Sequence, residues 1–308
     1  MEPKQLRALL AIDEHHSFSG AARALNTVQS NVSTHISRLE RELDVVLVDR
    51  ATCQLTYEGG IVAARARRIE LEFHALESDI AALRGAVRGT VKLGVIGTTA
   101  RWLVPALLES LGKTFPEVRL VILDATTSSL VPQVATGSLD LAVINAPIRD
   151  PELKVDQLFD EDRVLVVCQD HPLYERDGIT LRDLARYELL LPNVGTSFRN
   201  ELDDDLARVG LKLRPQAEID GMRLLASLAF SGFGAAVLPA SAAPPWISGN
   251  WKKIAIEGLS RRTVATCRRK RSLPSPAQGA VTAEIQRLAR EEAAKNPGIV
   301  LPPPAQSR

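Results

Sequence analysis

Three cysteines in 308 residues, at positions 53, 168 and 267, are too few and too scattered for a disulfide framework or a zinc site. Cys168 closes an apolar run and reads as a packed thiol, with a redox sensor as the alternative. An excess of one charge is also missing. The 38 Lys and Arg face 37 Asp and Glu, which excludes an indiscriminate binder of polyanions. No apolar run approaches the roughly 18–20 residues needed to span a membrane. The opening MEPKQLRALLAIDEHH has neither the basic start nor the apolar centre of a signal peptide, so the cytosol is the expected compartment. Motifs for catalysis are absent too. Gly232-Phe233-Gly234 lacks the spacing of a dinucleotide fingerprint, and no phosphate-loop lysine occurs. His15 and His16 are neighbours on a helix and point apart. Nothing demands an enzyme, a metal or a cofactor.

What the chain does have is the run from Ser17 to Arg50, SFSGAARALNTVQSNVSTHISRLERELDVVLVDR. A short apolar helix (Ala21, Ala22, Leu25) is followed by a break at Asn26-Thr27-Val28 and a second helix with two faces. Val32, Ile36, Leu39 and Leu43 recur at spacings of four, three and four, which makes one buried stripe. Ser30, Thr34, Ser37, Arg38 and Arg41 fall on or near the opposite face, flanked by Gln29 and Ser33. A helix held by its back and offering short hydrogen-bonding groups in front suits a DNA major groove. It equally suits the solvated side of a small bundle. Over residues 1–56 the charge count is six basic against seven acidic, so this segment is not basic overall. Charge sorted between faces would put Arg38, Arg41 and Arg50 toward phosphate and Glu40, Glu42 and Asp44 away from it. An earlier helix is expected over Pro3 to about Glu14, and short β-prone pieces around Asp49–Cys53 have the size of a hairpin wing.

From Glu58 to about Val87 the pattern is helical with a seven-residue beat. Val62, Ala66, Ile69, Phe73, Leu76, Ile80, Leu83 and Val87 alternate spacings of four and three. So narrow a seam argues for pairing with a second copy of the same helix, with packing on its own chain as the alternative. After Gly85 and Gly89, short apolar runs alternate with helical stretches over roughly 200 residues. That alternation reads as α/β with a largely parallel sheet, in two lobes rather than one. The Pro-rich end, Asn296–Arg308, carries no pattern and is expected to be disordered.

These features together resemble the LysR-type transcriptional regulators. The residues that carry the resemblance begin with Ser17-Phe18-Ser19, Ala21-Ala22, Leu25, Gln29, Val32-Ser33, Ile36, Leu39-Glu40, Leu43, Arg50, and Leu55-Thr56 with Gly59. Further on are Leu139-Asp140-Leu141-Ala142-Val143, His171-Pro172-Leu173, Gly232-Phe233-Gly234-Ala235 and Leu238-Pro239. The match covers about residues 3–290. It departs from the family at Asp44, where Gly is usual, at Val48, where Phe is usual, and in a wing two residues shorter that lacks a further Arg. The resemblance implies an α/β protein with an N-terminal winged helix-turn-helix (1–57), a linker helix (58–88) and a bilobed, periplasmic-binding-protein-like effector domain (89–295). Lobe I would take 89–162 and 266–295, and lobe II 163–265.

On that reading Gln29, Ser30, Ser33 and Thr34 face bases, Thr27 donates to phosphate, and Arg38 and Arg50 position the backbone. Val62, Ala66, Ile69, Phe73, Leu76, Ile80 and Leu83 build a dimer, which the family commonly doubles to a tetramer. The DNA partner would be an inverted repeat with half-sites about one helical turn apart, and RNA polymerase is a further partner that such a regulator can have. Three Ser/Thr-rich loops at helix starts suit a small, acidic effector between the lobes, or plain helix capping. By resemblance Thr98, Thr99, Ser128, Thr196 and Phe198 line the effector pocket, with Asn145 and Pro147 near a crossover between lobes. The competing function is a cytosolic small-molecule binding protein or enzyme whose N-terminal helices mediate association only.

Overall fold

The computed structural model describes residues 1–83, 87–243, 249–270, 273–296 and 298–303. The chain divides into two compact units, a helical head with a long helix and a two-sheet α/β domain.

The head opens with α1 (Pro3–His15), whose Pro3 sits at the first turn, where the missing N–H costs nothing. A second helix, α2 (Phe18–Ala24), begins at Ser17, whose hydroxyl accepts from the Gly20 N–H at 3.2 Å. The third, α3 (Gln29–Leu43), ends at Asp44 with φ 54 and ψ 39. This is the left-handed turn that explains why Gly is usual there. Strands β1 (Val48–Asp49) and β2 (Gln54–Leu55) pair antiparallel as a short wing, and α4 (Tyr57–Leu83) follows. The core joins Leu6, Leu9 and Ile12 of α1 to Ala21 and Ala22 of α2, to Val32, Ile36 and Leu39 of α3, and to Ala63 and Ala66 of α4.

In the second unit, lobe I contains β3 (Gly89–Val95), α5 (Gly97–Thr114), β4 (Val118–Asp124), α6 (Thr127–Thr136), β5 (Leu141–Ala146) and β6 (Leu153–Glu161). Lobe II contains β7 (Arg163–Cys168), β8 (Gly178–Thr180), α7 (Leu181–Leu184), β9 (Glu188–Pro192), α8 (Ser197–Ala207), β10 (Arg214–Ile219), α9 (Met222–Phe230), β11 (Ala235–Pro239) and β12 (Trp251–Glu257). The chain then returns to lobe I through β13 (Arg262–Arg269), α10 (Pro276–Lys295) and β14 (Ile299–Val300). The sheet orders are β14-β6-β13-β5-β3-β4 and β10-β9-β11-β7-β12-β8. Both are mixed. Strands β3, β4 and β5 run parallel, whereas β13 is antiparallel to both neighbours and β7 to both of its own.

Three boundaries differ from expectation. The chain passes out of lobe I at Asp162 and returns across Gly258–Arg261, a few residues before 266, because β13 must already pair with β5 and β6 at Arg262 and Thr263. Of the expected linker helix, α4 covers residues up to Leu83, residues 84–86 lie outside the described residues, and Val87 and Arg88 are no longer helical. The tail is not patternless throughout: Ile299 is buried and Ile299–Val300 add a strand to β6. Residues 304–308 of the expected disordered tail lie outside the described residues.

Candidate DNA-reading face and effector site

The back of α3 is anchored by Val32, Ile36 and Leu39, all fully buried, while Leu43 is over a third exposed and does not belong to the stripe. That anchoring leaves Gln29, Ser30, Thr34 and Arg38 on the accessible front. The Thr34 hydroxyl donates to the Ser30 carbonyl at 2.8 Å, so toward a ligand it offers a methyl group and lone pairs but no proton. Thr27 accepts from Asn31 Nδ2 at 2.9 Å and keeps its own proton free to donate.

Arg50 is placed differently from expectation. Its guanidinium donates to Ser33 Oγ (3.1 Å), Ser37 Oγ (3.0 Å) and Glu40 Oε2 (3.1 Å), and lies over the Phe18 ring. It braces the wing against α3 and occupies Ser33, rather than standing free as a phosphate contact. Glu40 is not turned to solvent either. Its Oε1 accepts from the Leu47 and Val48 N–H groups at 3.0 and 3.3 Å. Sequence reading missed this clasp because its partners lie seven to ten residues from Glu40, off the helical period.

The seam along α4 serves two purposes. Ala66 is fully buried in the head's own core and Val62 packs partly against it, so these two are spent within the chain. Arg67 pairs with Asp13, and Arg7 with Glu70 at 2.9 Å, fastening the same stretch to α1. Beyond that, Ile69, Phe73, Leu76 and Ile80 are exposed large apolar side chains. The Leu83 side chain lies outside the described residues.

In the α/β unit, helix α5 begins without a side-chain cap, leaving its first amides available. Thr98 Oγ1 accepts from Arg262 Nη2 at 3.0 Å. Thr99 is wholly buried and its hydroxyl has no hydrogen-bond partner among the described residues; Asn145 Oδ1 is likewise buried and unpartnered. The Asn145 N–H donates to Thr127 Oγ1 at 3.0 Å, which ties the end of β5 to the start of α6. Ser128 is exposed and shares a hydrogen bond with Thr126.

The third expected loop does not offer the same chemistry. Thr196 Oγ1 accepts from the Arg199 N–H and donates to the Asn193 carbonyl at 2.9 Å, so its hydroxyl is consumed in capping α8. Phe198 is no pocket wall. It is buried in the lobe II core beside Leu202 and Leu206, with the Arg163 guanidinium over its ring. Pro147 opens the β5–β6 connection inside lobe I, and the preceding Ala146 pairs with Thr263, two residues past the crossing at Gly258–Arg261.

At the crossovers themselves stands a buried ionic network that sequence reading did not find. Glu161 receives Arg262 on one oxygen and the Ser241 N–H on the other at 3.0 Å. Arg163 reaches Glu201, Asp205 and the Ser260 hydroxyl, and Asp205 in turn accepts from the Ser260 N–H at 2.8 Å. Burial depresses the Arg163 guanidinium and raises the Glu201 carboxyl, with the attraction between the two working against both shifts. A hint existed in the opposite charges of Asp160-Glu161-Asp162 and Arg261-Arg262 at the two passages between lobes. Removing one partner of such a buried pair costs about 3–5 kcal/mol. Each ion pair lies within one lobe, and the Ser241 N–H on Glu161 and Ser260 on Asp205 are the bonds that reach across or onto the passages between lobes.

Residues 3–60 match the bacterial regulatory helix-turn-helix protein, lysR family, and residues 84–290 match the LysR substrate binding domain. The chain belongs to the LysR family of transcriptional regulators. It is 34% identical over 241 residues, 77% of each chain, to a probable hydrogen peroxide-inducible genes activator of Streptomyces viridosporus. It is 29% identical over 248 residues, 80% of this chain and 81% of the other, to the DNA-binding transcriptional dual regulator OxyR of Escherichia coli. The structure of a full-length OxyR variant from Pseudomonas aeruginosa has the same fold, with a TM-score of 0.77 at 24% identity over 99% of both chains. This LysR-type regulator thus combines a DNA-binding head with an effector-binding domain. Two of its three thiols, Cys168 and Cys267, are poorly disposed to oxidation. Burial pushes Cys267 up to about 11, and Cys168, also raised by burial, donates its thiol to the Ala229 carbonyl at 3.3 Å.

Proposed function

We propose that this regulator reads an inverted-repeat DNA site with Gln29, Ser30 and Thr34, with Thr27 and Arg38 on the flanking phosphates. Ser33 and Arg50 serve mainly to hold the wing. The observation that carries this reading is the accessible polar front of α3 over a fully buried apolar back. Dimerisation falls to Ile69, Phe73, Leu76 and Ile80, the exposed part of the α4 seam. Assembly to a tetramer and contact with RNA polymerase rest on the family alone. Among the described residues no helix is long and apolar enough to cross a membrane, and the cytosol as working compartment is part of the proposal.

The effector site centres on the start of α5 and the end of β5. The buried, unpartnered Thr99 Oγ1 and Asn145 Oδ1 support it, because such atoms carry a desolvation cost that a bound ligand or water relieves. A bound small molecule, rather than oxidation of a thiol or turnover of a substrate, is the signal. The test is fluorescence anisotropy of the full-length protein on a fragment from its own upstream region. A salt-dependent shift is expected, with Gln29→Ala losing preference for cognate over scrambled DNA. Equal losses on both DNAs overturn the base-reading role of Gln29, and absence of any shift with the wild type overturns the whole reading.

A further inference from the structure

Three segments from distant parts of the chain converge on Asp162, where the chain first leaves lobe I. Its N–H donates to the Gly298 carbonyl at 2.8 Å, and its own carbonyl accepts from the Ala240 N–H at 2.9 Å. Its carboxylate accepts from Arg261, on the returning passage, at 2.7 Å. Ala240 is buried and opens the short turn Ala240–Ala242 that follows β11 in lobe II. Gly298 belongs to the C-terminal segment, whose strand β14 pairs Ile299 with Glu161 and Val300 with Asp160. A Cβ built on Gly298 would stand 2.7 Å from the Ala240 Cβ, too close for two carbons, whereas the Asp162 Cβ would lie at an ordinary 3.9 Å. Near the C-terminus the chain is thus wedged between the sheet of lobe I and a turn of lobe II.

We propose that Gly298 and β14 form a strap that limits how far lobe II can turn against lobe I. The lobes are joined at Asp162 and across residues 258–261, so lobe II turns about these two passages. A turn that carries Ala240 toward β14 presses its methyl group onto the Gly298 backbone, where no room is left. A turn the other way breaks the Ala240–Asp162 hydrogen bond. The strap is also able to lift. Strand β14 has two residues and bonds to β6 alone, at the edge of its sheet. Burial of Ile299 holds it down. Against that, Asn296 Nδ2 and Ser241 Oγ, the latter next to Ala240, are buried without a hydrogen-bond partner among the described residues, and lifting opens Asn296 to water. Seated, the strap narrows the range of lobe arrangements; lifted, it widens that range. It acts whatever ligand the effector site takes, since any ligand that shifts the lobes works against the same stop.

The test reads distances between two spin labels in the full-length, ligand-free protein with its native cysteines replaced. One label sits on Lys113→Cys in lobe I and the other on Arg182→Cys in lobe II, both exposed positions. Labelled chains are diluted with unlabelled ones, so that only distances within a chain are read. The intact strap should give one narrow distribution. Gly298→Ala should broaden it. Adding Ala240→Gly to Gly298→Ala should restore the narrow distribution, because the two changes move one methyl group across the contact. A chain ending at Asn296 keeps α10 and its C-cap and should also broaden the distribution. Leu301→Ser, just beyond β14 and exposed, should leave it narrow. Broadening by Gly298→Ala that Ala240→Gly fails to reverse marks a general loosening and overturns the proposal. A broad distribution with the strap intact overturns it, as does a narrow one in the chain ending at Asn296. Should Gly298→Ala fold poorly, the shortened chain decides.

Discussion

Glu40 on the recognition helix and Arg50 on the wing meet at 3.1 Å, and the same carboxylate holds the Leu47 and Val48 N–H groups. The two residues contribute unequally. Leu47 and Val48 are fully buried, so removing Glu40 leaves two backbone donors without their acceptor. Glu40→Ala is expected to destabilise the head by about 1–3 kcal/mol. Arg50 is nearly half exposed, and Arg50→Ala is expected to cost only about 0.5–1 kcal/mol. Amide hydrogen exchange at residues 47 and 48 measures this directly, with faster exchange in Glu40→Ala than in Arg50→Ala. Comparable exchange in the two variants would show that the clasp does not hold the wing.

The exposed part of the α4 seam predicts self-association. Leu76 is 60% exposed and Ile80 46%, a large apolar surface to leave in water on a helix that fastens only its first half to α1. Leu76→Glu should weaken the dimer roughly a hundredfold, since burying one such side chain is worth about 2–3 kcal/mol. Ala66→Glu should instead unfold the head, because Ala66 already lies in the core of its own chain. Sedimentation velocity separates the two outcomes. A Leu76→Glu protein that remains fully dimeric places the interface elsewhere.

Much of this architecture was legible because local periodicity and end signals agree. The buried back of α3 follows from its stripe as far as Leu39, and Asp44 stands just past the last turn, where the family usually has Gly. What was not legible depends on which neighbour a residue meets. The apolar beat of α4 is continuous from Val62 to Ile80, yet only tertiary contact reveals that Ala66 faces its own head and Leu76 does not. An aromatic at a helix start such as Phe198 reads equally as a pocket wall or as core, and lobe II uses it as core. The network of Glu161, Arg163, Asp205 and Arg262 joins residues 42 to 101 positions apart, beyond any periodic signal. Strand β14 is two residues between prolines and polar groups, too short to stand out from a tail.

Stability should also fall on mild acidification through His171. Burial lowers its pKa from the ordinary 6.5, its Nδ1 accepts from the Leu173 N–H at 3.2 Å, and its ring packs against Tyr187. As pH drops past about 6.5 the unfolded chain takes up this proton before the folded one does. The stabilisation from the neutral ring is therefore complete above that value and is lost as pH falls toward the lowered folded pKa. His171→Asn keeps a side-chain acceptor but cannot titrate, so its urea midpoint should vary less between pH values of about 7.5 and 5 than that of the wild type. Parallel curves for the two proteins would assign the acid sensitivity to other groups.

Relatives named for peroxide induction invite the expectation that peroxide acts on this chain as well, and the thiols argue against it. Attack on peroxide requires a thiolate. Cys267 is fully buried and its thiol is pushed up to about 11, roughly four units above neutral pH, so the reactive fraction is about one in ten thousand. Cys168 is raised by burial and by Asp170, and its proton is engaged with the carbonyl of Ala229. Cys53 is partly buried, packed against the apolar core of the head. Treatment with a few equivalents of hydrogen peroxide at neutral pH is therefore expected to leave DNA affinity unchanged, and a variant with all three cysteines replaced by serine or alanine should respond to ligand as the wild type does. Intact-mass spectrometry alongside the binding measurement decides the matter: an added oxygen or a lost pair of hydrogens, appearing together with a change in DNA affinity that the cysteine-free variant lacks, would establish thiol sensing after all.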